Sequence, residues 1–271
     1  AKTYEQIVYW QHQERLYSYL DSLYQNFSKA SDRRFELGET NYLEKITAQS
    51  KYRQIKTKLT QINFEKKAQY ESLQALVQSD EKISILEKEL VPIPTLDTTS
   101  NKAIHTAYLE SISKMYKSQI SLQKQHWLPD LNLEYFQGRN NGLSQSLYGF
   151  QVGIAVPILF SGNVSKTKVA QLESQSWEEQ KQNQEQKMTQ FIRQQQNEIA
   201  KYQESINYYN ATGKKLSEEI IKVANSSYKN GEIDFFQYIQ SLENAVAIKI
   251  EYVEAVLQFN SNQLELHYLN F

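Results

Sequence analysis

Apolar residues recur at steps of three and four over most of this chain, and at steps of two in one short stretch. Leu16, Leu20, Leu23, Phe27 and Ala30 form a narrow heptad seam within residues 1 to about 36, flanked by Tyr, Gln, Lys and Ser. Leu37-Gly38-Glu39-Thr40-Asn41 breaks the period, with Gly38 placed to end one helix and Thr40 or Asn41 to cap the next. The second helix runs to about Ser79 on Tyr52, Ile55, Leu59, Ile62, Leu73 and Leu76. Residues 80–100 hold two of the four prolines and read as a linker, after which Ser100 or Asn101 starts a helix ending at Trp127.

Between His126 and Lys168 the code changes. Leu131, Leu133 and Tyr135 alternate with Asn132 and Glu134, and Phe150, Val152, Ile154 and Val156 alternate with Gln151, Gly153 and Ala155, the period of strands with unlike faces. The segment Gln137 to Ser146, with Gly138, Gly142 and paired asparagines, reads as a long hairpin loop. Pro129 and Pro157 keep the flanking helices out of the strands. Each strand has about nine to eleven residues, the length of a tilted strand crossing a bilayer.

A very long helix follows, from about 163 to 230. Its seam of Met188, Ile192, Ile199, Tyr202, Ile206, Tyr209, Leu216, Ile220 and Val223 passes through Gly213, which marks a kink or irregular turn. At ~1.5 Å per residue such a helix spans roughly 100 Å. A last helix, about 234–269, is built on Phe235, Ile239, Leu242, Val246, Val253 and Val256.

The chain also repeats itself. Phe35-Glu36-Leu37-Gly38-Glu39 aligns with Tyr228-Lys229-Asn230-Gly231-Glu232 at an offset of 193, which also pairs Leu16 with Tyr209, Leu23 with Leu216, Phe27 with Ile220, Leu43 with Phe236 and Ile46 with Ile239. Residues 1–79 then form the second part of a first repeat, 80–100 the linker, and 101–271 a complete second repeat with its β-hairpin at about 128–160. A first repeat of equal length would extend before Ala1 and include a second β-hairpin, so the chain reads as a fragment.

Composition narrows the function. Thirty basic and 31 acidic residues leave no electrostatic footprint for nucleic acid. With no cysteine there is no disulfide or thiol chemistry. No apolar run reaches the ~18 residues of a membrane-spanning helix, and no signal-type segment opens the chain. His12, His105, His126 and His267 lack metal-ligand spacing, and the pairs Glu178-Glu179 and Glu218-Glu219 read as solvated helix faces, so no catalytic, cofactor or metal site is expected. The Gln-rich run from Gln180 to Gln196 keeps heptad phase and reads as a polar helix face.

The order of helix, LPDLNLEYF, glycine-rich loop, GFQVGIAVPILFSGN, long helix, aromatic-x-x-Gly turn and long helix resembles the second repeat of the TolC-like outer membrane efflux proteins. Residues 1–79 resemble the later half of their first repeat. The resemblance implies a mainly α fold of long antiparallel helical hairpins with heptad packing plus one β-hairpin. It also implies a homotrimer whose strands share an outer-membrane barrel and whose helices form a periplasmic tunnel, working as a passive conduit for metal cations or drugs beside a periplasmic adaptor (membrane fusion) protein and an inner-membrane transporter of the resistance-nodulation-division type. Fusion behind a metal-exporting transporter of that type is a second arrangement it allows.

Carried over residue by residue, the resemblance makes Leu37, Gly38, Glu39, Asn230, Gly231 and Glu232 the adaptor-contacting tips. Gln237 and Gln240 become the lining of the pore tip, where some members have aspartates. Leu131, Leu133, Tyr135, Phe150, Val152, Ile154 and Val156 then face outer-membrane lipid. Only two of the family's four strands are present. Apart from the resemblance, the residues also fit a soluble coiled-coil interaction module with a β-hairpin docking wing and no pore.

Overall fold

The two periods separate cleanly in the computed structural model, which describes residues 1–78, 81, 83–86, 89–96, 99–140, 142, 145–156 and 161–268. Helices α1 (Lys2–Glu36), α2 (Tyr42–Val77) and α3 (Thr99–Gln125) precede strands β1 (Asp130–Asn140) and β2 (Gln145–Ala155). Helix α4 (Ser161–Tyr208), a π-helical turn (Tyr209–Gly213), α5 (Lys214–Lys229) and α6 (Phe235–Tyr268) follow. The fold is mainly α, with long antiparallel helical hairpins and one β-hairpin among the described residues, as the periodicities predict. Pro157 and the rest of the Pro-Ile-Leu-Phe motif lie outside the described residues, as do Ser79, Asp80 and Leu269.

The chain divides into two units, the first made of residues 1–98 and 192–270. Here α1 and α2 run antiparallel, and their seam is laced by polar pairs: Gln11 donates to Tyr70 at 2.8 Å, Lys66 meets Glu14 at 2.6 Å, and Gln49 donates to Asp32 at 2.8 Å. Helix α6 is the most apolar, and α1 and α5 both pack on it. Leu20, Tyr24, Ala48, Ala224, Phe235, Tyr238, Ile239, Leu242 and Val246 form one core cluster. A second joins Val8, Leu90, Ile206, Val253, Val256 and Phe259. Tyr24 donates to Glu243, which Lys51 also holds at 2.7 Å; burial first and that carboxylate second push the Tyr24 phenol up, so it stays a donor.

The observed seams differ from the heptad reading in three places. On α1, Ser28 and Ser31 are buried while Ala30 is exposed, because α1 packs against α2 and α6 at once and its buried stripe is wider than a heptad seam. On α2, Leu76 is exposed. Beyond Gly213 the buried face slips by one residue: Ser217 and Ala224 are 0% and 4% exposed, whereas Leu216 and Val223 are 39% and 55%.

The π turn is the cause, since its wider turn takes up one extra residue. Gly213 sits in it against α6, where a Cβ would lie 3.2 Å from Ile248 Cγ2. Ser217 Oγ donates to the Ala245 carbonyl at 2.7 Å, and these small residues allow α5 and α6 to approach closely.

A long-range anchor holds the linker. Asn260, fully buried on α6, accepts from the Ile93 N–H at 2.9 Å and donates to the Val91 carbonyl at 2.9 Å, as a neighbouring strand would. Leu90 beside it enters the core.

The second unit, residues 99–191 with 271, carries the β-hairpin. Trp127 Nε1 donates to Thr167 at 3.2 Å and Asn163 donates to the His126 carbonyl at 2.9 Å, tying the end of α3 to the start of α4 at the hairpin base. Farther along, Trp177 donates to Ser113 and stacks on Tyr116. The strands are longer than the apolar alternation marks: most of the expected loop is paired backbone, Asn140 opposite Gln145.

Candidate functional site

Two features stand out, a pair of matching helical turns and a two-faced β-hairpin. At the first turn Gly38 has φ +74° and at the second Gly231 has φ +73°, a left-handed conformation that glycine adopts without steric cost. Both close the same motif. Glu39 N–H donates to the Arg34 carbonyl at 2.8 Å and Gly38 N–H to Phe35 at 3.1 Å; Glu232 N–H donates to Ser227 at 2.8 Å and Gly231 N–H to Tyr228 at 3.1 Å. A Cβ added at either glycine would meet nothing within 4 Å.

The helices that leave these turns are capped alike. Glu44 N–H donates to Asn41 Oδ1 at 2.9 Å, and Gln237 N–H donates to Asp234 Oδ1 at 2.8 Å while the Gln237 side chain accepts from the Asp234 N–H. Asn41 and Asp234 are related by the same 193-residue offset, as are Glu44 and Gln237. Asn41 is one of the two cap candidates the sequence offered for the first turn; the matching Asp-x-x-Gln cap at Asp234 is the site feature that the sequence reading missed.

Leu37, Glu39, Asn230 and Glu232 are all exposed at the turns. Glu39 lies 4.0 Å from Arg34 Nε and Glu232 accepts from Asn230, so both carboxylates have partners within their own turns. Tyr42, Leu43 and Ile46 add apolar surface to the first tip and Phe236 to the second. Gln237 and Gln240 are exposed on α6; Gln237 is held by its cap and Gln240 donates to Asn244 at 3.0 Å.

On the β-hairpin, the register pairs Leu131 with Ile154, Leu133 with Val152 and Tyr135 with Phe150, which brings all six to one face together with Val156. These seven side chains are 57% to 77% exposed, so the face is bare among the described residues. Tyr148 joins them opposite Gln137, placing aromatics toward the loop end. The alternation reading, which started at Phe150, left it out. The other face carries Asp130, Asn132, Glu134 and Gln151, interrupted by Phe136, whose ring covers Gly149, and by exposed Leu147 opposite Gly138.

Elsewhere, no group of three or more metal-type ligands occurs among the described residues, and none of their helices is long and apolar enough to cross a membrane. His12 lies in a cleft with Arg15, Lys249 and Glu89; burial holds its pKa below the usual histidine range, the two cations add to this and Glu89 opposes it.

Long helical hairpins with duplicated glycine tips, joined to a β-hairpin with one apolar and one polar face, make up the architecture of the TolC-like channel proteins. The chain belongs to the outer membrane efflux protein family, whose model matches residues 113–269. It is similar in fold to a membrane protein from Pseudomonas aeruginosa (TM-score 0.81, 15% identity, 98% of this chain and 65% of that one). Campylobacter jejuni CmeC outer membrane channel (TM-score 0.77, 13% identity, 98% and 61%) and the open state of the Neisseria gonorrhoeae MtrE outer membrane channel (0.72, 14%, 98% and 64%) are similar too. This chain thus spans less than two thirds of the length of each. Comparison with curated proteins gives no match.

Proposed function

We propose that this chain is part of an outer membrane efflux channel, a passive conduit in a tripartite pump. The observation that carries the reading is the bare apolar face of a hairpin of two 11-residue strands, backed by a largely polar face, in a chain of this family. Lipid covers the first face and a watery lumen meets the second. The work is geometric, with the driving energy supplied by an inner-membrane transporter and the tips at Gly38 and Gly231 meeting a periplasmic adaptor. Gln237 and Gln240 line the narrow end. Family membership favours this conduit over a soluble interaction module.

The complete protein is expected to give large stepwise conductance in planar bilayers. Leu133→Arg with Val152→Arg, which puts two charges on the lipid face at about 2–4 kcal/mol each near the midplane, is expected to abolish insertion. Unchanged conductance in that variant overturns the reading.

The repeat supports a homotrimer in which one copy meets the next through α5 and α2. Within one chain α1 rests on α6, with the Phe27 ring 5.7 Å from Phe235. The 193-residue offset turns α1 into α5 and α6 into α2, and there the equivalent faces are open: Leu216 on α5, Tyr42 and Ile46 on α2. The α5 of one copy therefore packs on the α2 of the next, a head-to-tail contact that closes into a ring. Since Phe27 and Phe235 correspond to Ile220 and Tyr42, the double variant Ile220→Cys, Tyr42→Cys is expected to oxidise into a ladder ending at three copies. Crosslinking confined to single chains excludes this interface.

A further inference from the structure

The two tips share a backbone but are closed by different chemistry. At the first, Lys45 Nζ lies 3.7 Å from Asp32 Oδ1 and 4.8 Å above the Phe35 ring. Arg34 Nη1 donates to Glu44 at 3.0 Å and its Nε lies 4.0 Å from Glu39. The offset of 193 carries Asp32 to Asn225, Arg34 to Ser227, Phe35 to Tyr228, Glu44 to Gln237 and Lys45 to Tyr238. At the second tip Tyr238 donates to Asn225 and stacks on Tyr228 with ring centroids 4.6 Å apart and planes 13° from parallel. Gln237 turns back on Asp234. Each ionic contact across the first hairpin thus has a neutral or aromatic counterpart at the same position in the second; only the glutamate after the glycine is common to both.

We propose that the first tip is closed by an ionic latch and the second by a neutral one, so that rising ionic strength, or a partner offering charges of its own, loosens the first turn and leaves the second shut. The first tip's charged groups are partly open to water: Arg34 is 41% exposed, Asp32 36% and Lys45 25%. Coulomb attraction between such groups is screened as the Debye length falls from ~10 Å at 0.1 M salt to ~3 Å at 1 M. Tyr238 is buried and its stack carries no net charge, so salt does not weaken it. On the reading of the tips as contact surfaces, on which this consequence alone rests, an adaptor exchanges ion pairs at the first turn, where Phe35 also meets Tyr42 edge-on, and displaces aromatic packing without ion pairs at the second.

Hydrogen–deuterium exchange of the intact protein at 0.05 M and 1 M NaCl tests the latch. Because the Gly38 and Glu39 amides make the same hydrogen bonds as those of Gly231 and Glu232, the comparison is internal. Exchange at the first pair is expected to rise about threefold to tenfold with salt, and at the second by less than about twofold. Asp32→Asn with Lys45→Tyr places the second tip's pair in the first and is expected to remove most of the response; Asn225→Asp with Tyr238→Lys confers it on the second. Equal salt response at both tips of the unaltered protein overturns the proposal whether or not any variant folds, as does a full response kept in Asp32→Asn, Lys45→Tyr. Neither readout involves lipid, export or adaptor, so the conduit reading is tested separately.

Discussion

Ile206→Asp is expected to destabilise the protein by more than about 3 kcal/mol, the cost of an unpaired carboxylate in an apolar seam. Ile206 is 2% exposed in a cluster with Val253, Val256 and Val8, and Tyr202 and Ile199 flank it on its own helix. Ile199 is only half-buried, so Ile199→Asp should cost less. Val223→Asp should cost under about 0.5 kcal/mol in the isolated chain. The heptad pattern ranks Val223 with Ile206, but the π turn leaves it 55% exposed. Thermal unfolding followed by circular dichroism separates the three, since each 1 kcal/mol moves the midpoint of a chain this size by roughly 2–4 °C. A Val223→Asp protein melting as low as Ile206→Asp would mean that the seam runs straight through Gly213.

Much of this architecture was legible because long helices and strands with unlike faces write their periods into the chain. The turns were legible because a left-handed backbone position selects glycine, as at Gly38 and Gly231. What period reading could not reach was the width of the buried stripe: α1 showed only a narrow heptad seam, and its contact with two helices also buries Ser28 and Ser31, residues no hydrophobicity pattern marks. Nor could it place the extra residue absorbed between Tyr209 and Gly213, since one irregular turn leaves the composition on either side unchanged. The outer half of the β-hairpin was read as loop because ladder hydrogen bonds join backbones whatever side chains they carry, so Gln137 opposite Tyr148 leaves no alternating signal. Asn260 lies 167 residues from the Ile93 amide that it holds, a distance over which sequence pattern carries no information.

In the complete protein, Gly38→Trp combined with Gly231→Trp is expected to abolish export while leaving the amount of folded protein in the outer membrane unchanged. Two effects of the substitution have to be kept apart. A side chain at φ +74° or +73° is strained, at roughly 1–2 kcal/mol per site, and that cost is shared by any residue other than glycine. Bulk at the tip is the second effect, and a Cβ at either glycine meets nothing within 4 Å, so a side chain there starts in open space. Gly38→Ala with Gly231→Ala imposes the strain without the bulk and is therefore the control. If the tips seat against a partner hairpin, the alanine pair exports nearly normally and the tryptophan pair fails, with crosslinking to the adaptor falling in parallel. Were both pairs to export normally, the two glycines would serve only to end α1 and α5. An equal loss in both pairs would assign the defect to backbone strain and remove the tips from the contact surface.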